Sequence, residues 1–262
     1  MISMNKEKND ELWAKKLIDE CISNYKNNND AKGYIPTCLS ELKDQIERGV
    51  AKENIINYIL DLKKLASDLF NKLIFEYNLE YQLPLNVNPD NDVAVYVWPS
   101  ILSNGNSLRL YSLTLYNWFS FSFKSGDGKS ELEPITFIFN KKKDKYNLLM
   151  AYARVHYDLC EYNVDKIKDI KIVFARYGHT PYILGENYVR VRCPKIKHNS
   201  ARTGRKYWDR MWLTAGNIFT RITGIRKIQF RFKNNLRTYI LGCLPKTMNN
   251  PFKSPIYPIQ FF

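Results

Sequence analysis

A chain of 262 residues, 45% of them hydrophobic and 14% aromatic, has enough apolar material for a real core, which excludes a disordered tail. Its five cysteines stand singly with no CxxC pair, so neither a disulfide framework nor a thiolate metal site is expected, and no cofactor is implied. The net charge of +14 is uneven: residues 1–90 hold 12 basic and 15 acidic side chains, residues 91–180 hold 12 and 9, and residues 181–262 hold 16 and 2.

The first residues, MISMNKEKNDEL, lack the apolar centre of a secretory signal, and no uncharged apolar run approaches the ~18 residues of a membrane span. A soluble chain of the cytoplasm or another intracellular compartment is expected, with no membrane partner. In ELWAKKLIDECISNYKN, Trp13, Leu17, Cys21 and Tyr25 recur at four-residue spacing and predict a helix. TCLSELKDQIERG predicts a second, with Thr37 as N-cap and Gly49 as its stop. KENIINYILDLKKLASDLFNKLIFEYN places Ile55/Ile56, Ile59/Leu60, Leu65/Ala66, Leu69/Phe70, Leu73/Ile74 and Tyr77 on one stripe, an amphipathic helix of roughly seven turns. A small bundle is the first reading of these helices; a dimerising seam, and so a homo-oligomer, is the second.

LPLNVNPDND, residues 83–92, predicts a linker, and the pattern then changes from period 3.6 to period 2. DVAVYVW, LRLYSLTLYNWFSFSFK and ITFIF predict a three-stranded antiparallel meander. In its second strand Tyr111, Leu113, Leu115 and Phe119 share one face, and Ser112, Thr114 and Ser120 the other. KKKDKYNLLMAYARVHYDLCEYN fits either element; Leu, Met and Ala favour a helix capped by Asp144. DIKIVFARYG and NYVRVRC predict strands, and RKIQFRFKNNLRTYILGC a hairpin turning near Asn234-Asn235. The fold class is therefore α+β: a helical segment over residues 1–85, then an antiparallel-rich β domain over 86–262 with a basic C-terminal surface. That domain includes a basic loop at 194–209 and an extended apolar tail at 251–262.

The charge in the last third points to a polyanion. Nine of the chain's 13 arginines lie there, and their planar donor forks suit phosphate. Arg190 and Arg192 alternate with valines, and Arg231 and Lys233 alternate with phenylalanines, so strands with apolar faces inward would make a cationic ridge. The loop adds Lys195, Lys197, Arg202, Arg205 and Lys206, followed at once by Tyr207 and Trp208. Cations neutralise phosphates and flat rings stack on unpaired bases, so a non-enzymatic protein that binds DNA or RNA is the leading expectation.

Two other readings compete. A viral, phage or ribonucleoprotein assembly protein would use the same basic face and the tail on protein partners. A nuclease would use His179 as acid or base in ARYGHTPY, or Asp169 and Lys171, with Asp165, around a magnesium ion. No HExxH, GxGxxG or GxSxG motif is present, and GDGKS (126–130) lacks phosphate-loop spacing.

Overall fold

The computed structural model describes residues 9–19, 48–49, 52–84, 87–103, 109–120, 130–155, 158–163, 169–174, 179, 181–184, 230–233 and 236–242. Its longest helix runs over Lys52–Phe75, close to the span that the periodicity predicts. Ile55, Ile56, Ile59, Leu62, Leu65, Ala66, Leu69, Phe70 and Leu73 are all buried along it. The helix ends where Asn78 adopts φ 46 and the Leu79 N–H donates to Leu73 O at 3.0 Å. The bond spans six residues and closes the helix end around the left-handed Asn78, and Leu73 and Leu79 are both buried there. A shorter helix over residues 9–19 buries Ala14, Leu17 and Ile18, and Lys63 ties the two helices by reaching Asp10 at 2.8 Å and the Trp13 ring at 4.0 Å. Gly49 has φ +73, the left-handed geometry of a helix stop, while the predicted helix before it lies outside the described residues. Among the described residues no helix is long and apolar enough to cross a membrane.

Among the described residues ten strands follow: β1 Glu80–Pro84, β2 Val93–Ser103, β3 Arg109–Phe119, β4 Glu131–Lys142, β5 Lys145–Val155, β6 Asp158–Asn163, β7 Lys171–Phe174, β8 Pro181–Leu184, β9 Phe230–Lys233 and β10 Thr238–Ile240. A six-stranded sheet, B, has the order β10-β2-β3-β4-β5-β6, and a four-stranded sheet, A, the order β8-β7-β1-β9. All neighbours are antiparallel except β10 with β2 and β1 with β7. The chain is thus α+β, with its helices first and mostly antiparallel strands after them.

The predicted meander is present as β2, β3 and β4. On its odd-numbered face Val95, Val97, Leu113, Leu115, Phe119, Ile135, Phe137 and Phe139 join the core that the long helix and sheet A cover. The hydroxyl face is not a solvent face: Ser112 and Thr136 are buried, and Thr114 and Thr136 meet hydroxyl to hydroxyl at 2.9 Å. A cross-strand bond of this kind lets small polar side chains sit under cover at little cost.

Three expectations are corrected. The 83–92 segment is not wholly a linker, because Glu80–Pro84 forms β1 in the middle of sheet A; only the turn after it, closed by Asn88 N–H to Asp92 Oδ2 at 2.8 Å, fits that description. Residues 145–155 and 158–163 are two strands and not a helix. Asp144 caps nothing: it forms with Lys143 a two-residue hairpin turn in which both have positive φ, 46 for Lys143 and 62 for Asp144. That is type I′ geometry, which the twist of the flanking strands selects and which costs non-glycine residues roughly 1 to 2 kcal/mol each. Pairing with β4 (Phe137 opposite Ala151, Ile135 opposite Ala153) outweighs the helical propensity of Leu, Met and Ala. Finally, β9 and β10 are not a hairpin: β9 pairs with β1 in sheet A and β10 with β2 in sheet B.

Candidate nucleic-acid interface

Of the residues that the sequence nominates for phosphate and base contacts, Arg190, Arg192, Lys195, Lys197, Arg202, Arg205, Lys206, Tyr207 and Trp208 lie outside the described residues. Arg231 and Lys233 belong to β9, the outer strand of sheet A. The ladder sets Arg231 opposite Leu83 and Lys233 opposite Tyr81, the two β1 residues that join the main core, while Phe232 stands opposite the half-buried Gln82.

The described part of the last third adds residues that pattern reading passed over. Leu236, buried, leads into β10, and Thr238 Oγ1 holds the lead-in by donating to Leu236 O at 2.8 Å. Arg237 is exposed, and its carbonyl accepts from the Val95 N–H at 2.8 Å, which docks this segment on the start of β2. Tyr239, 41% exposed, stacks on Tyr96 with ring centroids 5.0 Å apart and planes 22° from parallel. Behind the pair, Gly242 lies so close that a Cβ there would meet Tyr239 Cβ at 2.6 Å and the Tyr96 ring at 2.9 Å. The Trp98 indole N–H donates to Gly242 O at 2.8 Å and closes the edge. An exposed ring held flat two residues along the strand from an exposed arginine offers a platform on which a base can stack while the cation meets its phosphate. The signal was available in the sequence as Arg237-Thr238-Tyr239, but it became visible only once β10 was placed against Tyr96.

His179 stands elsewhere and in another role. It is fully buried with φ 44, stacks on Phe119 at 4.1 Å with planes 6° apart, and pairs through Nδ1 with Glu131 Oε2 at 2.9 Å. Phe119 also meets Phe174 edge to face at 4.9 Å. His179 thus pins the connection between β7 and β8 to the start of β4, joining sheet A to sheet B. With no exposed surface, the ring is placed as a polar staple.

Asp169 precedes β7 and accepts from Asn78 Nδ2 at 2.7 Å, which ties the end of the long helix to sheet A. Lys171 opens β7, half-buried, with Glu80 and Leu184 as its strand neighbours, and Asp165 lies outside the described residues. Among the described residues no group of three or more His, Cys, Asp or Glu side chains is placed to hold a metal ion. Compared with known proteins, the chain matches no family model, no curated protein and no solved structure.

Proposed function

We propose that this chain binds nucleic acid through its basic last third, with single strands or irregular RNA favoured over regular duplex. The observation that carries the reading is the exposed Arg237 beside Tyr239, stacked on Tyr96 at the outer strand of sheet B. It falls in the stretch where 16 basic side chains face 2 acidic ones. Rings and cations at one edge supply stacking and counterion release together, and neither depends on sequence. The basic loop at 194–209 would extend this edge with Arg202, Arg205 and Lys206 as phosphate contacts.

A salt titration of binding to labelled single-stranded DNA, duplex DNA and RNA, with heparin as competitor, tests the proposal. The expected result is a steep log–log slope with preference for one nucleic acid. Replacing Arg202, Arg205 and Lys206 with Ala should flatten that slope by up to ~3 units, and Tyr239→Ala should weaken single-strand binding by ~1 to 3 kcal/mol with little change in slope. Weak binding that heparin abolishes without preference would refute the reading and turn attention to a protein partner.

A further inference from the structure

The end of sheet B remote from Arg237 carries a second concentration of charge. Lys141, Lys142, Lys143 and Lys145 of the β4–β5 hairpin are all exposed, and so is Arg109 at the start of the neighbouring β3. The opposing charges are Asp144, 3.3 Å from Lys141, and Asp68 of the long helix, which acts on Tyr146. Cations therefore outnumber acids at this end, and the Lys141–Asp144 contact is too exposed to hold Lys141 away from another anion.

The cations stand on a built platform. Arg109 lies 5.6 Å from the Tyr111 ring and Lys141 lies 5.6 Å from the Tyr146 ring, while the two rings meet edge to face at 5.1 Å. Rings so arranged hold the aliphatic stems and leave the charged heads to solvent. The turn is an independent sign. A type I′ connection favours Asn-Gly or Asp-Gly, yet Lys143 and Asp144 occupy its two left-handed positions. Keeping a lysine at the apex against that preference is a local inconsistency of the sort that gathers at sites of contact.

We infer that the β4–β5 tip with Arg109 is a second phosphate-backbone contact, so that nucleic acid runs along sheet B between this tip and the Arg237–Tyr239 edge. The inference rests on the function proposed above and extends it to an elongated, two-point footprint. Val95 bonds Arg237 and Ser103 pairs with Arg109, so the length of β2 between them separates the contacts. At ~3.3 Å per residue that is roughly 26 Å, and at ~3.4 Å per nucleotide step about 8 nucleotides of a stacked strand. A single strand of about 3 nucleotides can then engage one contact at a time, whereas about 20 nucleotides engage both and gain from linkage.

The test combines Lys142→Ala, Lys143→Asn and Lys145→Ala in the full chain, asparagine being chosen because it tolerates the left-handed region. Thermal unfolding first establishes that the variant is folded. Salt titrations then compare it with the unaltered chain and with the Arg202, Arg205 and Lys206 alanine variant, on single strands of both lengths. The expected result is a slope lower by about 2 units on the longer strand, and loss of most of the preference for it over the shorter one. An unchanged slope and length preference in the tip variant, with losses in the C-terminal variant, overturns this inference alone. Losses in the tip variant with none in the C-terminal one support it and move the main site away from the basic loop. Absence of binding by the unaltered chain overturns both.

Discussion

Gly242→Ala is the sharpest test of the edge that presents Tyr239. The added methyl would lie 2.6 Å from Tyr239 Cβ and 2.9 Å from the Tyr96 ring. Real Cβ atoms do not approach so closely, and Tyr239 Cβ, fixed to its backbone, cannot swing aside as a side-chain tip would. Either β10 moves or the Tyr96–Tyr239 stack opens. Overpacking of this kind costs ~1 to 3 kcal/mol, and loss of an offset aromatic pair adds ~0.5 to 1.5 kcal/mol. If the bond from Trp98 to Gly242 O also breaks, about 1 kcal/mol more is lost. The expected total is ~1.5 to 4.5 kcal/mol with that bond kept and about 1 kcal/mol more without it, which at ~2 °C per kcal/mol for a chain of this size lowers the melting temperature by ~3 to 11 °C. Detachment of the three-residue β10 alone would cap the loss, so thermal unfolding should be paired with amide hydrogen exchange. Leu241 donates to Val97 O at 2.9 Å and Val95 to Arg237 O at 2.8 Å, and both amides should exchange faster in the variant. A melting temperature within ~1 °C of the parent, with protection at both amides intact, would refute the packing argument.

Burial pushes the Tyr81 phenol well above the usual phenolic range, and among the described residues its hydroxyl has no hydrogen-bond partner. The fold thus holds the neutral form while the unfolded chain ionises above pH ~10, so stability is full below that pH and falls above it by up to ~1.4 kcal/mol per unit. Tyr81→Phe should be neutral or stabilising by about 1 kcal/mol at pH 7 and should soften the alkaline fall, as urea unfolding at pH 7 and 11 would show. Glu131→Ala removes the carboxylate 2.9 Å from His179 and should destabilise by ~1 to 3 kcal/mol; a double-mutant cycle with His179→Ala that gave no coupling would deny the pair its stapling role. Asp144→Gly should raise stability by roughly 1 kcal/mol in chemical unfolding, because its φ of 62 suits glycine, and a loss instead would mean that the Lys141 contact outweighs the turn.

What could be read along the chain was whatever depended on local period. The long helix announced itself because its apolar stripe holds for 24 residues, and β2 to β4 because valine, aromatic and hydroxyl residues alternate there. What could not be read was pairing across distance. Nothing near Glu80–Pro84 says that Lys171–Phe174 and Phe230–Lys233 will flank it. The helix expected at Asp144 failed because a turn without glycine gives no warning, although Leu149, Ala151 and Ala153 do keep strand period. At the candidate site the composition located the charge, but only the docking of β10 on β2 singled out Arg237 and Tyr239. His179 looked like a reactive group in sequence because burial and stacking on Phe119 are invisible there.

The order of strands in sheet A also governs when the molecule can fold. β1 is complete at Pro84, but its two neighbours end at Phe174 and Lys233. At ~5 to 20 residues per second, a ribosome needs roughly 7 to 30 s to reach β9 after finishing β1. Until Phe174 is made Tyr81 and Leu83 have no sheet to enter, and until Lys233 is made the β9 side of β1 stays open, while the β2–β6 ladder can already assemble from near neighbours. Sheet B is then the part that sets first, and sheet A closes late around an orphaned strand. Slow synthesis or an early stop before residue 230 would release chains with that strand edge open, the state most inclined to pair with its own copies.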